Sequence, residues 1–171
     1  MNYTTIEGAW EIFRSLGCLY NENCIFIATK DVNKDVSAKS ILFGGAVGSF
    51  ANGMVRGMEQ SEKLKEAASA TIWLINHTER GIGIVPLKPI GIQLIAKFDK
   101  CEPQLDKFVF VPFESISSIT VKDYALLNKK TQSIQLAFPD GTKLNWAARI
   151  VIPEIPYQQQ NFTFFMNKYK K

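Results

Sequence analysis

The chain has 171 residues, of which 46% are hydrophobic and 21% are charged, which is typical of one folded globular domain and excludes a disordered chain. A domain of this length can bury a core without disulfides or a structural metal. Its net charge of +4 comes from basic residues interleaved with acidic ones, and this pattern argues against a nucleic-acid partner, which usually selects a dense basic stripe.

The first predicted element is a helix that occupies most of the N-terminal stretch 1–18. Its apolar residues recur at helical spacing and predict one buried stripe over residues 4–17. Thr4 and Glu7 have the spacing of a capping box at the helix start, and Gly17 can provide a left-handed cap at its end. The stripe consists of Ile6, Ala9, Trp10, Phe13, Leu16 and Gly17.

A first strand and a long insertion are predicted next. Residues 24–29 form a short apolar run with β-branched members, which predicts a strand buried on both faces. The stretch 31–69 then separates this strand from the following one. It contains a polar loop, a glycine-rich apolar segment and good helix formers over residues 59–70, so we interpret it as an insertion that ends in a helix.

The glycine-rich segment 41–58 is the candidate interaction segment of this chain. Gly45, Ser49, Gly53 and Gly57 recur every four residues, and on a helix this spacing makes a flat groove that another backbone can approach closely. Five glycines destabilise an isolated helix by about 1 kcal/mol each relative to alanine, so a helical segment here requires a partner. The candidate contact residues are Ile41, Leu42, Phe43, Gly45, Ser49, Phe50, Gly53, Met54 and Gly57.

Three uses of this segment remain open from the sequence. It can contact a protein partner or a second copy of the chain, it can anchor the domain reversibly to a membrane surface, or it can be a passive insertion. A membrane span is disfavoured because the apolar stretch is at the short limit for crossing a bilayer and is interrupted by Asn52 and Arg56.

From residue 70 onward the pattern predicts antiparallel strands joined by turns. Residues 71–75 and 81–85 flank a polar connection over residues 76–80, which places His77 in a surface turn. Pro86 and Pro89 are expected to end the second of these strands. Further strands are predicted within residues 90–98, 108–113 and 115–124, with a polar loop at 99–106 and an edge position for the strand that contains Pro112.

The last third of the chain contains the clearest hairpin and a closing helix. Apolar and polar residues alternate over residues 133–148 on both sides of a Pro-Asp-Gly turn, which predicts one buried and one partly solvated face. An amphipathic helix follows, on which Phe164 falls outside the apolar stripe. The stripe consists of Phe162, Phe165, Met166 and Tyr169.

Three short motifs carry a resemblance to a known family. They are residues 73–84, with a polar turn that ends in arginine; residues 110–119, with an aromatic-x-Pro start; and residues 138–141, followed by the helix at 162–169. In these motifs the chain resembles a bacterial pleckstrin-homology-like (PH-like) domain. The resemblance implies a mainly β, α+β fold: about seven antiparallel strands in a barrel or sandwich, capped by the C-terminal helix, in one domain over residues 1–171.

Side chains that could support catalysis or bind a metal are few. His77 is the only histidine, and a turn is a poor place for a catalytic base. Cys18, Cys24 and Cys101 lack Cys-x-x-Cys spacing, and we interpret them as small apolar residues in a reducing compartment. Glu114 is interpreted as a cap at the start of a strand. We therefore expect no catalytic residue, no metal site and no cofactor.

These observations lead to the hypothesis of a non-enzymatic cytoplasmic binding or scaffolding module of unknown ligand. The cytoplasm is expected because no signal peptide pattern is present. A protein partner or self-association is the favoured contact. The alternative is a peripheral membrane-associated domain that uses segment 41–58 as its anchor. Phosphoinositide binding is disfavoured because Lys30 and Lys34 are interspersed with Asp31 and Asp35.

Overall fold

The computed structural model describes residues 2–31, 57–92, 97–125 and 128–170. These residues form an α+β fold of three α-helices and eight antiparallel strands. The helices are α1 (Ile6–Ser15), α2 (Gly57–Ala68) and α3 (Gln158–Tyr169). The strands are β1 (Asn23–Lys30), β2 (Ile72–Thr78), β3 (Gly81–Pro89), β4 (Cys101–Pro103), β5 (Val109–Pro112), β6 (Ser118–Ala125), β7 (Asn128–Ala137) and β8 (Lys143–Arg149).

The sheet has the strand order β4-β3-β2-β1-β8-β7-β6, and β5 pairs with β3 beside β4. The first strand therefore pairs with the second strand on one side and with the last strand on the other. The β1–β2 ladder runs the length of both strands, whereas β1 meets β8 only at Thr29 and Lys30. The rest of the β1 edge faces α3, which packs against it.

An inner core lies between the sheet and α3. This core is formed by alternate residues of β1 and β2, among them Phe26 and Trp73, together with Trp146 of β8. Phe162 and Phe165 of α3 are 0% and 1% exposed, and their rings lie 5.1 and 4.8 Å from the ring of Phe26. The predicted C-terminal helix and its apolar stripe are thus confirmed, and Phe164 is 61% exposed, as its position outside the stripe predicts.

An outer core covers the opposite face of the first strands. The remaining residues of β1, Ile25 and Ile27, pack there against Ile12 and Phe13 of α1, all of them nearly or wholly buried. Burial of β1 on both faces is therefore confirmed. Gly83 of β3 permits this packing, because a Cβ atom at that position would lie 2.6 Å from the Cys18 sulfur.

The start of α1 differs from the predicted capping box. Thr5 is the N-cap residue, and its Oγ1 accepts a hydrogen bond from the Gly8 backbone N–H at 3.2 Å. Thr4 instead donates its hydroxyl hydrogen to Asn2. Trp10 is 39% exposed, so its predicted place in the buried stripe is wrong; Ile12, on the buried side of the helix, belongs to the core instead. The cap at Gly17 is confirmed by a φ of +66°.

The strands near the first hairpin are longer than predicted. β2 continues to Thr78, and its connection to β3 is two residues long, because the Thr78 hydroxyl accepts hydrogen bonds from the Arg80 and Gly81 backbone N–H groups. β3 then runs through Pro86 and ends at Pro89, the second of the two prolines expected to end it. The described residues of the predicted strand at 90–98 are not in a strand, whereas β4 lies in the predicted polar loop, where it pairs with the end of β3.

The later strands follow the prediction more closely. β5 pairs with β3 only, which agrees with the edge position expected from Pro112. β7 and β8 pair from Thr131 to Ala137 around the predicted turn, with Ile134 opposite Trp146. Their inward residues are buried because the two-residue period matches the pleat of the sheet.

Candidate functional site

The predicted interaction segment lies almost entirely outside the described residues. Only Gly57 falls within them, as the first residue of α2. The assignment of these residues as contacts therefore stays a prediction. The members outside the described residues are Ile41, Leu42, Phe43, Gly45, Ser49, Phe50, Gly53 and Met54.

The described residues do show where the insertion leaves the sheet and where it returns. At the end of β1 the Lys30 backbone N–H donates a hydrogen bond to the carbonyl of Thr71, the residue directly before β2, at 3.0 Å. The next residue, Asp31, donates its backbone N–H to the Asn145 carbonyl of β8 at 3.5 Å. The two ends of the insertion are thus adjacent, and both are attached to the sheet by backbone hydrogen bonds.

The insertion ends in α2, and this helix packs against the sheet. The Trp73 indole N–H donates a hydrogen bond to the carbonyl of Ala67 at 2.8 Å, and Ala67 is wholly buried. The neighbouring Glu66 forms an ion pair with Lys107, two residues before the start of β5, at 3.3 Å. These contacts fix the last turn of α2 on the sheet, so the place where the chain rejoins the sheet is well defined.

Asp31 is a buried acid, which its position in a polar stretch of the sequence did not indicate. Its side chain accepts a hydrogen bond from the Ser133 hydroxyl at 2.6 Å, and the residue is only 2% exposed. Glu114, which was interpreted as a cap at the start of a strand, is exposed in a short 3-10 turn three residues before β6. The pairing of Asp31 with Ser133 joins residues 102 positions apart, so no local pattern could have indicated it.

His77 is buried in β2, and its predicted position in a surface turn is wrong. It is 3% exposed, and its Nε2 forms a hydrogen bond of 2.7 Å with the Tyr169 hydroxyl of α3. Its ring also packs against Phe113 and Phe165 at 5.4 Å. Burial, followed by repulsion from Lys168, lowers the pKa of His77 from 6.5 to about 4, so the imidazole is neutral at pH 7.

The three cysteines are free and buried, as predicted for small core residues. Burial raises the thiol pKa of Cys18 and Cys24 to about 12, and that of Cys101 is raised for the same reason. The Cys24 thiol lies on the strand position opposite His77 and donates a hydrogen bond to the Asn161 carbonyl at 2.9 Å. A neutral thiol held in this way is a weak nucleophile, since reactivity requires the thiolate.

Polar residues of α3 pair with the β1 edge that lacks a strand partner. Gln158 is wholly buried; its Oε1 accepts the Ile27 backbone N–H at 2.7 Å, and its Nε2 donates to the carbonyls of Ile27 and Arg149. Asn161, one turn later, donates its Nδ2 hydrogen to the Ile25 carbonyl at 2.8 Å. These carboxamides replace the hydrogen bonds that a neighbouring strand would make, so they hold α3 on the sheet.

Within residues 2–31, 57–92, 97–125 and 128–170, no three His, Cys, Asp or Glu side chains are grouped so that they could hold a metal ion. Among the helices of those same ranges, none is both long enough and apolar enough to span a bilayer. Comparisons with protein-family models, curated proteins and solved structures give no match to this chain.

Proposed function

We propose that this protein is a non-enzymatic, cytoplasmic binding or scaffolding module with a PH-like core. The strand order supports the PH-like assignment, because the chain meanders through successive antiparallel strands and β1 joins the two halves of the sheet. The position of α3, an amphipathic C-terminal helix against β1, supports it as well. The module contacts its partner through segment 41–58, and this partner is a protein or a second copy of the chain.

The observation that carries this proposal is the adjacency of the two ends of the insertion. The hydrogen bond from Lys30 to Thr71 closes the β1–β2 connection across about forty residues. The β1–β2 ladder continues from this point in full register, as it would in a hairpin with a short turn. The described strands pair with one another without the stretch between Asp31 and α2, which supports a role for that stretch other than joining the strands.

The state of the titratable groups supports a binding role over catalysis. His77 and the thiols of Cys18 and Cys24, whose pKa values are strongly shifted, are neutral at pH 7 and buried in core packing. The Nε2 atom of His77 and the hydroxyl of Tyr169 share a hydrogen bond inside the core. A general base or nucleophile must reach a substrate, and these groups point to other core residues instead.

The proposal is tested by replacing residues 41–56 with a Gly/Ser linker of equal length. We expect the melting temperature to change little, because the described residues of the two cores already form both faces of the sheet. If the partner is a second copy of the chain, we expect the variant to lose self-association in sedimentation velocity. If the partner is another protein, we expect the variant to lose it in a pull-down in which the unaltered chain retains it. A matched control replaces the polar residues 32–40 of the same insertion and should keep the interaction.

Two results would contradict the proposal. If the linker variant unfolds, segment 41–56 belongs to the core and is not a displayed contact element. If both linker variants keep every interaction of the unaltered chain, the insertion is passive. Binding to lipid vesicles that disappears only in the 41–56 variant would replace the protein contact with the membrane-anchor alternative.

A further inference from the structure

One edge of the sheet is formed by β6. This strand is the last in the order β4-β3-β2-β1-β8-β7-β6, so among the strands that the structure describes it pairs with β7 only. The pairing is in continuous register from Ser118 to Asp123, and a register shift follows between Asp123 and Ala125. A strand at the edge of a sheet presents backbone groups to which a further strand can be added, and a register shift ends the regular part of that edge.

The residue directly after α3 occupies the middle of this edge. Lys170 is extended, with φ −82° and ψ 113°, and it forms a parallel bridge with Val121. Val121 is 2% exposed, whereas Ser118 and Lys122 of the same strand are exposed. The chain itself therefore shows that the β6 edge accepts an extended residue, and that Val121 is the position at which it does so.

The Lys170 side chain strengthens this contact. Its Nζ lies 2.6 Å from Asp123 Oδ1, and the same oxygen accepts a hydrogen bond from Gln132 Nε2 at 3.0 Å. Gln132 is 1% exposed and also donates to the Lys129 carbonyl, so a buried side chain positions the carboxylate. The Lys170 and Asp123 side chains are each 40% exposed. Solvent and salt therefore weaken their attraction, and the contact can open.

The regular part of β6 is complementary to a second copy of itself. Two such strands can pair antiparallel about a two-fold axis at Thr120, which places Ile119 opposite Val121 of the second copy. Both of these apolar residues belong to the inner-core side of the sheet. On the other side, Ser118 lies opposite Lys122 of the second copy, so no like charges meet. An axis at Lys122 would instead place that lysine opposite itself, which is unfavourable.

We infer that residues 118–122, called here the β6 edge, pair with the β6 edge of a second copy of the chain, and that Lys170 blocks this pairing. The two contacts exclude each other, because β7 lies on one side of Val121 and both contacts need the other side. Only Lys170 has to move, since α3 packs on the inner core and not on the edge. The inference goes beyond the proposed function, because it does not involve segment 41–58.

The first experiment measures the monomer–dimer equilibrium by sedimentation velocity over a range of concentrations. Asp123→Asn and Lys170→Gln each remove the ion pair, so we expect the dimer dissociation constant to fall about threefold. A chain that ends at Tyr169 lacks the bridge as well, and we expect a fall of about tenfold. Lys168→Gln is the matched control, because it removes a lysine from α3 but leaves the contacts of Lys170 in place.

Charge at position 118 tests the register of the pairing. In the chain that ends at Tyr169, Ser118→Lys should abolish dimerisation, because the new lysine lies opposite Lys122 of the second copy. Ser118→Glu should strengthen it, and Lys122→Glu should restore it to the Ser118→Lys chain. Lys143→Glu, an equal change of charge at an exposed position of β8, should have no effect.

A cross-link reports the two-fold axis directly. Thr120→Cys places two thiols opposite each other at the axis, so diamide should join two chains by a disulfide. The natural cysteines are buried and should not react. We expect the cross-link to form faster when Asp123→Asn is also present. Lys143→Cys is the control and should not cross-link the chain.

Three results would overturn the inference: a chain that ends at Tyr169 but stays monomeric, equal dimerisation of Ser118→Lys and Ser118→Glu, and equal cross-linking at positions 120 and 143. If the shortened chain does not fold, Asp123→Asn replaces it as the background for the same substitutions. Association lost in the 41–56 linker variant but kept in Ser118→Lys would belong to segment 41–58 and would also overturn the inference. Association lost in Ser118→Lys but kept in the linker variant supports the β6 edge, whatever the outcome for the proposed partner.

Discussion

His77 shows how one residue links the sheet to the C-terminal helix. It occupies a β2 position whose side chain enters the inner core, and its hydrogen bond to Tyr169 holds the last turn of α3. The neighbouring Phe165 and Tyr169 rings lie 5.4 and 5.5 Å from the imidazole. The residue that seemed a surface histidine is therefore part of the packing between two elements.

This environment predicts a pH dependence of stability. The native pKa of His77 is about 4 against an ordinary value of 6.5, so between these pH values the unfolded chain binds a proton that the native state excludes. The free energy of unfolding should therefore fall as the pH is lowered, by roughly 3 kcal/mol below pH 4. Urea unfolding of the unaltered chain and of His77→Gln, measured from pH 7 to pH 4, tests this. Equal pH slopes in both would contradict it.

Gln158 supplies a second prediction at the scale of one residue. Gln158→Ala removes three hydrogen bonds and leaves the Ile27 N–H and the Ile27 and Arg149 carbonyls buried without that partner. Each such group costs about 1–3 kcal/mol, so we expect a loss of roughly 3 kcal/mol or more in urea unfolding. Gln159→Ala, at the exposed neighbouring position, should stay within about 0.5 kcal/mol. Similar losses in both variants would show that the carboxamide does not hold the helix.

At the scale of an element, α3 closes the inner core with its aromatic stripe. Phe165→Ala should destabilise the protein by about 3–5 kcal/mol, because it leaves a cavity beside Phe26 and His77. Phe164→Ala changes the next residue, which is 61% exposed, and should change the unfolding free energy by less than about 0.5 kcal/mol. A loss below about 1 kcal/mol for Phe165→Ala would mean that α3 does not close the core.

At the scale of the whole molecule, the sheet has a hydrophobic core on each face. The N-terminal helix covers the outer core with Ile12 and Phe13. The hydroxyl of Tyr157 also donates to the Tyr3 carbonyl at 2.6 Å, which joins the C-terminal region to the start of the chain. The segment just before α3, with Ile152, Ile155 and Tyr157, thus covers the same face of the sheet as α1, whereas α3 itself covers the opposite face.

Removal of α1 should therefore unfold the domain. A chain that lacks residues 2–17 exposes the outer faces of β1, β2 and β3, and we expect it to lose its cooperative thermal transition and to aggregate. Circular dichroism melts and size-exclusion chromatography measure this, and the 41–56 linker variant is the control of comparable extent. A stable, monomeric truncated chain would show that α1 is an independent appendage.

The sequence by itself determined the elements whose pattern is local. The alternation over residues 133–148 specified a hairpin, and the spacing of Phe162 and Phe165 specified the buried side of α3. Such periods follow from backbone geometry, because successive side chains on a strand alternate between faces and those on a helix return every 3.6 residues. The role of segment 41–58 stays a prediction, because it rests on the four-residue repeat alone. Such a repeat does not specify which neighbours the segment contacts.

Only the tertiary structure decided which polar residues are buried and what they bind. His77 meets Tyr169 across 92 residues, Asp31 meets Ser133 across 102, and Gln158 meets Ile27 across 131. Nothing in the sequence around any of these residues distinguishes it from a solvated turn or helix surface. A buried polar group is stable only where folding brings a partner within hydrogen-bonding distance, and that partner is fixed by the strand order and the placement of α3, not by the local sequence.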